Sequence, residues 1–291
     1  MTVIRSVASK LPNRFKVMGA NIIAASRRQL SVPCMLPSFL IVGAQKAGTS
    51  SMFQYLSCHP SVLRPVRKDV FYFDRNFDKN LEWYSSYFAT IAERERLQDR
   101  LGTPVMTFEG ATYYIFHPLA AARIRQVFPE MKIIVLLRDP TKRAVSHYRH
   151  NRHGGVERLP MMEAFRRESE RLAGEVERII SDPRYDSYNY NHFSYLARGL
   201  YADQLERWHQ IFPRQQILLL FTDDFFANPA QTFRTVCRFV GLPEISLPQY
   251  PQVGASSEQN GDLEAVAFAR SHFEKPNERL FGLLGIRYNW I

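Results

Sequence analysis

The stretch FLIVGAQKAGTSSMFQYL, running from Phe39 to Leu56, decides the fold. Its four leading apolar residues (Phe39, Leu40, Ile41, Val42) predict a buried strand, and the amphipathic run from Thr49 predicts a helix. Between the two lies a glycine loop, so the order is strand, loop, helix N-terminus. Such a junction turns backbone N–H groups and the positive end of a helix towards an anion. Gly43 and Gly48 permit a tight turn and close approach of a ligand. Lys46 brings a mobile point charge, and Thr49, Ser50 and Ser51 bring hydroxyl donors in the first helical turn. The loop departs from the nucleoside-triphosphate pattern GxxxxGK[ST], because Lys46 precedes Gly48 instead of following it.

A second junction of this kind lies downstream in KIIVLLRDPTKRAVSHY, Lys132 to Tyr148, with Arg138, Asp139 and Pro140 between strand and helix. Strand candidates at Phe39–Val42, Val105–Phe108, Ile133–Leu137 and Ile217–Phe221 are short apolar runs of the sort buried in parallel sheets. Helical patterns cover His117–Phe128, Thr141–Arg152, a stripe of Met161, Met162, Phe165, Leu172, Val176 and Ile179, then Tyr195–Phe212, Pro229–Val240 and Leu263–Leu284. The alternation predicts an α/β fold, a three-layer α/β/α sandwich around a central parallel sheet with a P-loop-like phosphate-binding loop. Ligands of such sheets bind beyond the carboxyl ends of the strands, where both junctions fall. A chain of 291 residues without repeats suits one such domain, expected over residues 38–291 after a basic extension at 1–37.

Charge is unevenly spread. Ten Lys or Arg precede the first acidic residue, Asp69, and the remaining 28 balance the 28 Asp and Glu. That field attracts a polyanionic small molecule, a sulfated glycan or an anionic membrane. A nucleic-acid partner is not expected, since the basic residues form no reader motif. Residues 1–37 read as a targeting segment, a membrane-surface helix or an extension packed beside the domain. They hold no run of ~20 apolar residues, so no spanning helix is expected. Cys34, Cys58 and Cys237 are odd in number and lack metal-ligand spacing, which fits a reducing compartment. The expected location is therefore cytoplasmic, with peripheral membrane contact through the basic N-terminus. His147, His150 and His153 recur every third residue among Arg149 and Arg152, and a solvated basic face is expected there instead of a metal site.

The segment GAQKAGTSS resembles the loop with which sulfotransferases hold the 5′-phosphosulfate of the donor 3′-phosphoadenylyl sulfate (PAPS). The downstream motif is similar to the family's R-[DN]-P, with a helix serine eight positions after the arginine. Gly199-Leu-Tyr201 through Trp208, Phe212-Pro213, Asn228-Pro229, Phe239-Val-Gly241-Leu-Pro243 and Lys275-Pro-Asn-Glu-Arg resemble later parts of carbohydrate sulfotransferases. The likeness extends over most of the chain from about Phe39 to Gly285.

This resemblance implies transfer of a sulfuryl group from PAPS to a hydroxyl or amine of a carbohydrate or other hydroxylated metabolite. Adenosine 3′,5′-bisphosphate is released, and no metal is required. It places Lys46 at the bridging oxygen, Ala47, Gly48, Thr49, Ser50 and Ser51 around the 5′-phosphate, and Arg138 with Ser146 on the 3′-phosphate. Tyr201 is either a nucleotide contact or a core aromatic. The segment KDVFYFD, Lys68 to Asp74, is similar to K-E-x-H-F-F-D, whose glutamate is the proposed base of heparan-type members. Asp69 takes that place, or merely pairs with Lys68 or Arg67. Glu109, in EGATYY, resembles the family's E-[KA]-[ST]-P-x-Y and is read as base, substrate ligand or loop support. Four departures stand out: Asp69 is one methylene shorter than Glu, Phe71 replaces histidine, Gly110 stands where some relatives have lysine, and Tyr250–Gly261 lacks a K-G-R loop. The Tyr- and Asn-rich run Ser187–Tyr195 suits sugar stacking or an ordinary loop. The competing readings are a nucleotide kinase or hydrolase using ATP, and a catalytically weak nucleotide-binding protein.

Overall fold

The computed structural model describes residues 13–254 and 262–290. Residues 1–12 of the basic extension and 255–261 of the stretch without K-G-R lie outside them. Strands β1 (Phe39–Gly43), β2 (Phe108–Gly110), β3 (Lys132–Leu137) and β4 (Ile217–Phe221) form one parallel sheet in the order β2-β1-β3-β4. Helices flank this sheet in a three-layer α/β/α arrangement. Phe39 to Val42 and Ile133 to Leu137 are wholly buried, as a sheet covered on both faces requires. The chain leaves β1 for β2 on one side and returns to β3 on the other. The crevice at this reversal opens between the carboxyl ends of β1 and β3.

Among the described residues eight helices have eight residues or more: α1 (Asn13–Gln29), α2 (Thr49–Ser57), α3 (Ile91–Leu101), α4 (Ala120–Val127), α5 (Pro140–His153), α6 (Tyr201–Ile211), α7 (Pro229–Val240) and α8 (Leu263–Leu284). The start of α5 explains the Arg138-Asp139-Pro140 triplet. Asp139 caps the helix by accepting from the amides of Thr141 (2.8 Å) and Lys142 (3.1 Å), and Pro140 takes the first helical position. Arg138 is thereby fixed at the end of β3 with its side chain left for other work.

Three elements differ from the sequence reading. The strand expected at Val105–Phe108 forms over Phe108–Gly110, because Phe39, the first residue of β1, pairs with Phe108 and stacks on its ring at 5.2 Å. Met106 makes only an isolated bridge to Val62. The stripe from Met161 to Ile179 is split into three short helices, with Gly174 at φ 74° breaking the last two apart. Helix α6 begins at Tyr201 instead of Tyr195, since Glu168 draws the amides of Leu196 (2.6 Å) and Ala197 (2.7 Å) out of helical pairing.

Helix α1 lies on the domain surface through small residues. Ala20 and Ala24 are buried, and Arg27 donates to the carbonyls of Ser86 (3.1 Å) and Phe88 (2.6 Å). Asn21 Oδ1 accepts from Tyr87 Oη (3.2 Å) and Arg67 (3.5 Å), which sets the helix beside the segment that carries Lys68 and Asp69.

Candidate active site

The β1–α2 loop and the β3–α5 junction meet in one crevice. Arg138 Nη1 donates to the backbone carbonyl of Lys46 at 3.1 Å, so the two anion motifs touch directly. Lys46 adopts φ 70° and Gly48 φ 91°, left-handed conformations that curl the loop over the helix end. The amide of Ser51 bonds back to the Gly48 carbonyl at 3.0 Å, so the amides of Thr49 and Ser50 face out from the N-terminus of α2. Burial, followed by the charges of Arg138, Arg143 and Lys68, holds the Lys46 ammonium below the ordinary lysine value. No carboxylate lies within 4 Å of the Lys46, Lys68, Arg138 or Arg143 nitrogens among the described residues. Four cations around one crevice, none in direct ion-pair contact with a carboxylate, describe a site suited to a polyanion.

Neighbouring segments lock this geometry. Tyr201 Oη donates to the Arg138 carbonyl at 2.9 Å, so Tyr201 supports the arginine from behind; its ring is buried. The Thr222 hydroxyl lies 2.9 Å from the carbonyls of both Ala47 and Leu137 and stitches β4 to both junctions. The buried Arg198 donates to Gln45 Oε1 at 2.8 Å and stacks over Tyr113 at 4.8 Å. Ser51 is fully buried, and its Oγ accepts from the Val253 amide at 2.8 Å, so it anchors residues 250–254 over α2. Ser146 lies on the buried face of α5 that also carries Arg143 and His147.

The opposite wall is the segment from Arg67 to Asp74. Asp69 sits there with its carboxylate drawn by Lys68 and hydrogen-bonded by the backbone of Thr112. Burial nevertheless raises it above the usual aspartate value. Glu109 stands deeper. Its Oε1 accepts from the amides of Val70 (3.0 Å) and Phe71 (3.2 Å) and from Tyr114 Oη (2.9 Å), while Oε2 accepts from Tyr84 Oη (2.6 Å). Complete burial pushes its carboxyl up to about 8, against the pull of Tyr84 and Tyr114. Phe71 is held at φ 60°, unfavourable for a residue with a side chain, and the bond from its amide to Glu109 stabilises that turn. Glu109 therefore shapes the wall on which Asp69 is displayed.

Two residues that sequence reasoning left out of the site belong to it. Lys68 Nζ donates to Ser50 Oγ at 3.0 Å, which brings a second lysine to the loop. Arg143 is fully buried with its Nε and Nη1 unpartnered, and it adds positive charge behind Lys46 and Arg138. A lysine beside the KDVFYFD segment was visible, but only long-range packing brings it to Ser50. The solvated histidine face expected on α5 is corrected in part. His147 is buried against Tyr195 at 4.8 Å, because it shares the inward face with Arg143 and Asn151. His150 and His153 are exposed. The Ser187–Tyr195 run is packed at Tyr190, Asn191 and Tyr195, whereas Tyr188 projects outward and its ring lies 4.4 Å from His192. Among the described residues no group of His, Cys, Asp or Glu is arranged to hold a metal ion.

Residues 36–250 match the family model described as the sulfotransferase domain. The membrane-associated sulfotransferase kil1 of Dictyostelium discoideum is 23% identical over 88% of this chain and 66% of its own length. Human heparan sulfate glucosamine 3-O-sulfotransferase 3B1 is 30% identical over 72% of this chain and 47% of its own length. The chain thus spans just under two thirds of the one relative and about half of the other. The crystal structure of a sulfotransferase from Alicyclobacillus acidocaldarius superimposes with a TM-score of 0.63 at 29% identity, covering 88% of this chain and 99% of that one.

Proposed function

Because the chain belongs to the sulfotransferase family, we propose that it transfers a sulfuryl group from PAPS to a hydroxyl or amine of a carbohydrate or other hydroxylated metabolite. The contact of Arg138 with the Lys46 carbonyl carries this reading, since it joins two anion cradles into one crevice. A donor with phosphates at both ends suits that crevice, and its negative charge suits four cations of which none is in direct ion-pair contact with a carboxylate. In this proposal the outward amides of Thr49 and Ser50, with Ala47, Gly48 and the neighbouring hydroxyls, take the 5′-phosphate. Arg138 takes the 3′-phosphate as a fork, with Ser146 adding a hydrogen bond. The acceptor oxygen attacks sulfur in line, and the bond from sulfur to the bridging oxygen breaks. The leaving electron pair goes to the 5′-phosphate oxygen, where Lys46 meets the developing charge. Asp69 receives the acceptor proton, and Glu109 holds the turn that presents Asp69. Positioning and charge supply most of the rate, as in phosphoryl transfer.

The carbohydrate acceptor draws its support from the heparan sulfate named for the human relative. The proposed setting is cytoplasmic and membrane-peripheral. Its support is the set of free cysteines and the outward apolar face of α1, whose Met18 and Ile22 are 54% and 58% exposed. Among the described residues no helix is long and apolar enough to cross a membrane. Calorimetry tests the donor site: adenosine 3′,5′-bisphosphate binds with micromolar or better affinity, and ATP with Mg²⁺ binds at least tenfold more weakly. Radiolabelled PAPS incubated with a panel of glycans and small alcohols then yields a labelled product. Preference for ATP, or no bisphosphate binding, would overturn the reading.

A further inference from the structure

Lys68 occupies a place that electrostatics alone disfavours. Its Nζ donates to Ser50 Oγ at 3.0 Å, beside the positive end of α2 and within the field of Lys46. Burial lowers its ammonium below the ordinary lysine value, and Asp69 restores part of that loss. The stem of Lys68 reaches this position by crossing Gly110, the last residue of β2. A Cβ built on Gly110 would stand 3.5 Å from Lys68 Cε, 3.8 Å from Lys68 Cγ and 3.2 Å from Phe53 Cδ2. The channel above Gly110 is therefore filled by a lysine that enters from the neighbouring segment. Two lysines and a helix N-terminus converge at the reacting end of the donor site, while Arg138 stands at the other. The reacting end holds one cation more than a bridging oxygen needs.

We propose that Lys68 is the second cation on the transferring sulfuryl group, delivered through the space that β2 leaves open at Gly110. The assignment rests on the sulfotransferase reading. Lys46 serves the bridging oxygen, and Lys68 donates hydrogen bonds to the non-bridging sulfuryl oxygens. No proton leaves Lys68 and no bond forms to it. Lys68 and Asp69 are consecutive, so one short segment supplies both the cation for the moving group and the base for the acceptor. A side chain at Gly110 would enter the same channel, which makes the two positions alternative routes for one charge.

The test compares two ligands that differ by the sulfuryl group, PAPS and adenosine 3′,5′-bisphosphate, by calorimetry on the full chain. Lys68→Ala is expected to weaken PAPS at least about tenfold while changing the bisphosphate less than about twofold. Gly110→Lys added to Lys68→Ala is expected to restore most of the PAPS affinity, with Phe53 shifting by a few tenths of an ångström. Equal weakening of both ligands, or of neither, overturns the assignment. So does a folded double variant, checked by its melting temperature, that recovers nothing. Wild-type protein that binds neither ligand would instead sink the sulfotransferase reading itself, and this inference with it.

Discussion

Asp69 and Glu109 are both carboxylates at the crevice, yet their surroundings divide the work. Asp69 keeps Lys68 as its chief electrostatic partner and sits on the wall opposite the cradles, whereas Glu109 is enclosed by four donors. Asp69→Asn should lower kcat in the radiolabelled PAPS assay by about 10² or more, with bisphosphate affinity unchanged. Burial raises Asp69, and the proposed base must be ionised to act. Turnover therefore falls as pH drops through a value above the ordinary aspartate range, and Asp69→Asn removes that acid limb. Glu109 acts on stability instead. Its folded-state pKa of about 8 exceeds the ordinary glutamate value of 4.5, so its contribution is fully present below about 4.5 and fades as pH rises towards 8. Urea unfolding from pH 5 to 8 should show a flatter profile for Glu109→Gln than for wild type, by up to about 1.4 kcal/mol per pH unit. An unchanged profile would place the titration elsewhere.

At the scale of elements, the junctions depend on backbone that tolerates no side chain. Gly43 ends β1 at φ 153°, and a Cβ there would stand 2.4 Å from Ile115 Cγ2 and 3.1 Å from the Thr112 carbonyl. Gly43→Ala should destabilise the protein by on the order of 3 kcal/mol in urea unfolding, since the backbone angle strains any side chain and Ile115 must move aside. It should also weaken bisphosphate binding, because the displaced loop carries Lys46. A variant as stable as wild type would show that the loop relaxes without cost. These junctions were legible in sequence because each is local: apolar run, glycine or Arg-Asp-Pro, then an amphipathic helix. β1, β3 and β4 were found within a residue of their ends for the same reason. β2 was displaced because its register comes from Phe39, 69 residues distant from Phe108 in the chain, and not from its own apolar run. The site divides in the same way. Lys46, Arg138 and the α2 hydroxyl residues could be read from spacing. Lys68 at Ser50, Thr222 across both junctions and Arg198 on Gln45 are long-range contacts that no local pattern announces.

Over the whole molecule, charge and apolar surface are both concentrated on the N-terminal side. Helix α1 reverses the usual amphipathic order: small Ala20 and Ala24 face the domain, while Met18, Ile22 and Ile23 are 54%, 58% and 46% exposed. Large apolar side chains turned outward need a partner. A second copy of the chain would oppose two segments that lack any acidic residue before Asp69, and like charges disfavour that pairing. An anionic bilayer satisfies both features, with the apolar face at the acyl boundary and the basic residues among the headgroups. The full chain should then co-sediment with phosphatidylglycerol vesicles, less so at high salt, and weakly with phosphatidylcholine alone. Met18→Asp combined with Ile22→Asp should reduce that binding at least tenfold while leaving bisphosphate affinity intact, since neither side chain faces the domain. Equal binding by the variant would exclude α1 as the contact. A wild-type dimer that the double substitution splits would assign the face to self-association instead. Because Asn21 ties α1 to Arg67, a membrane held by this face would lie beside the segment that carries Asp69.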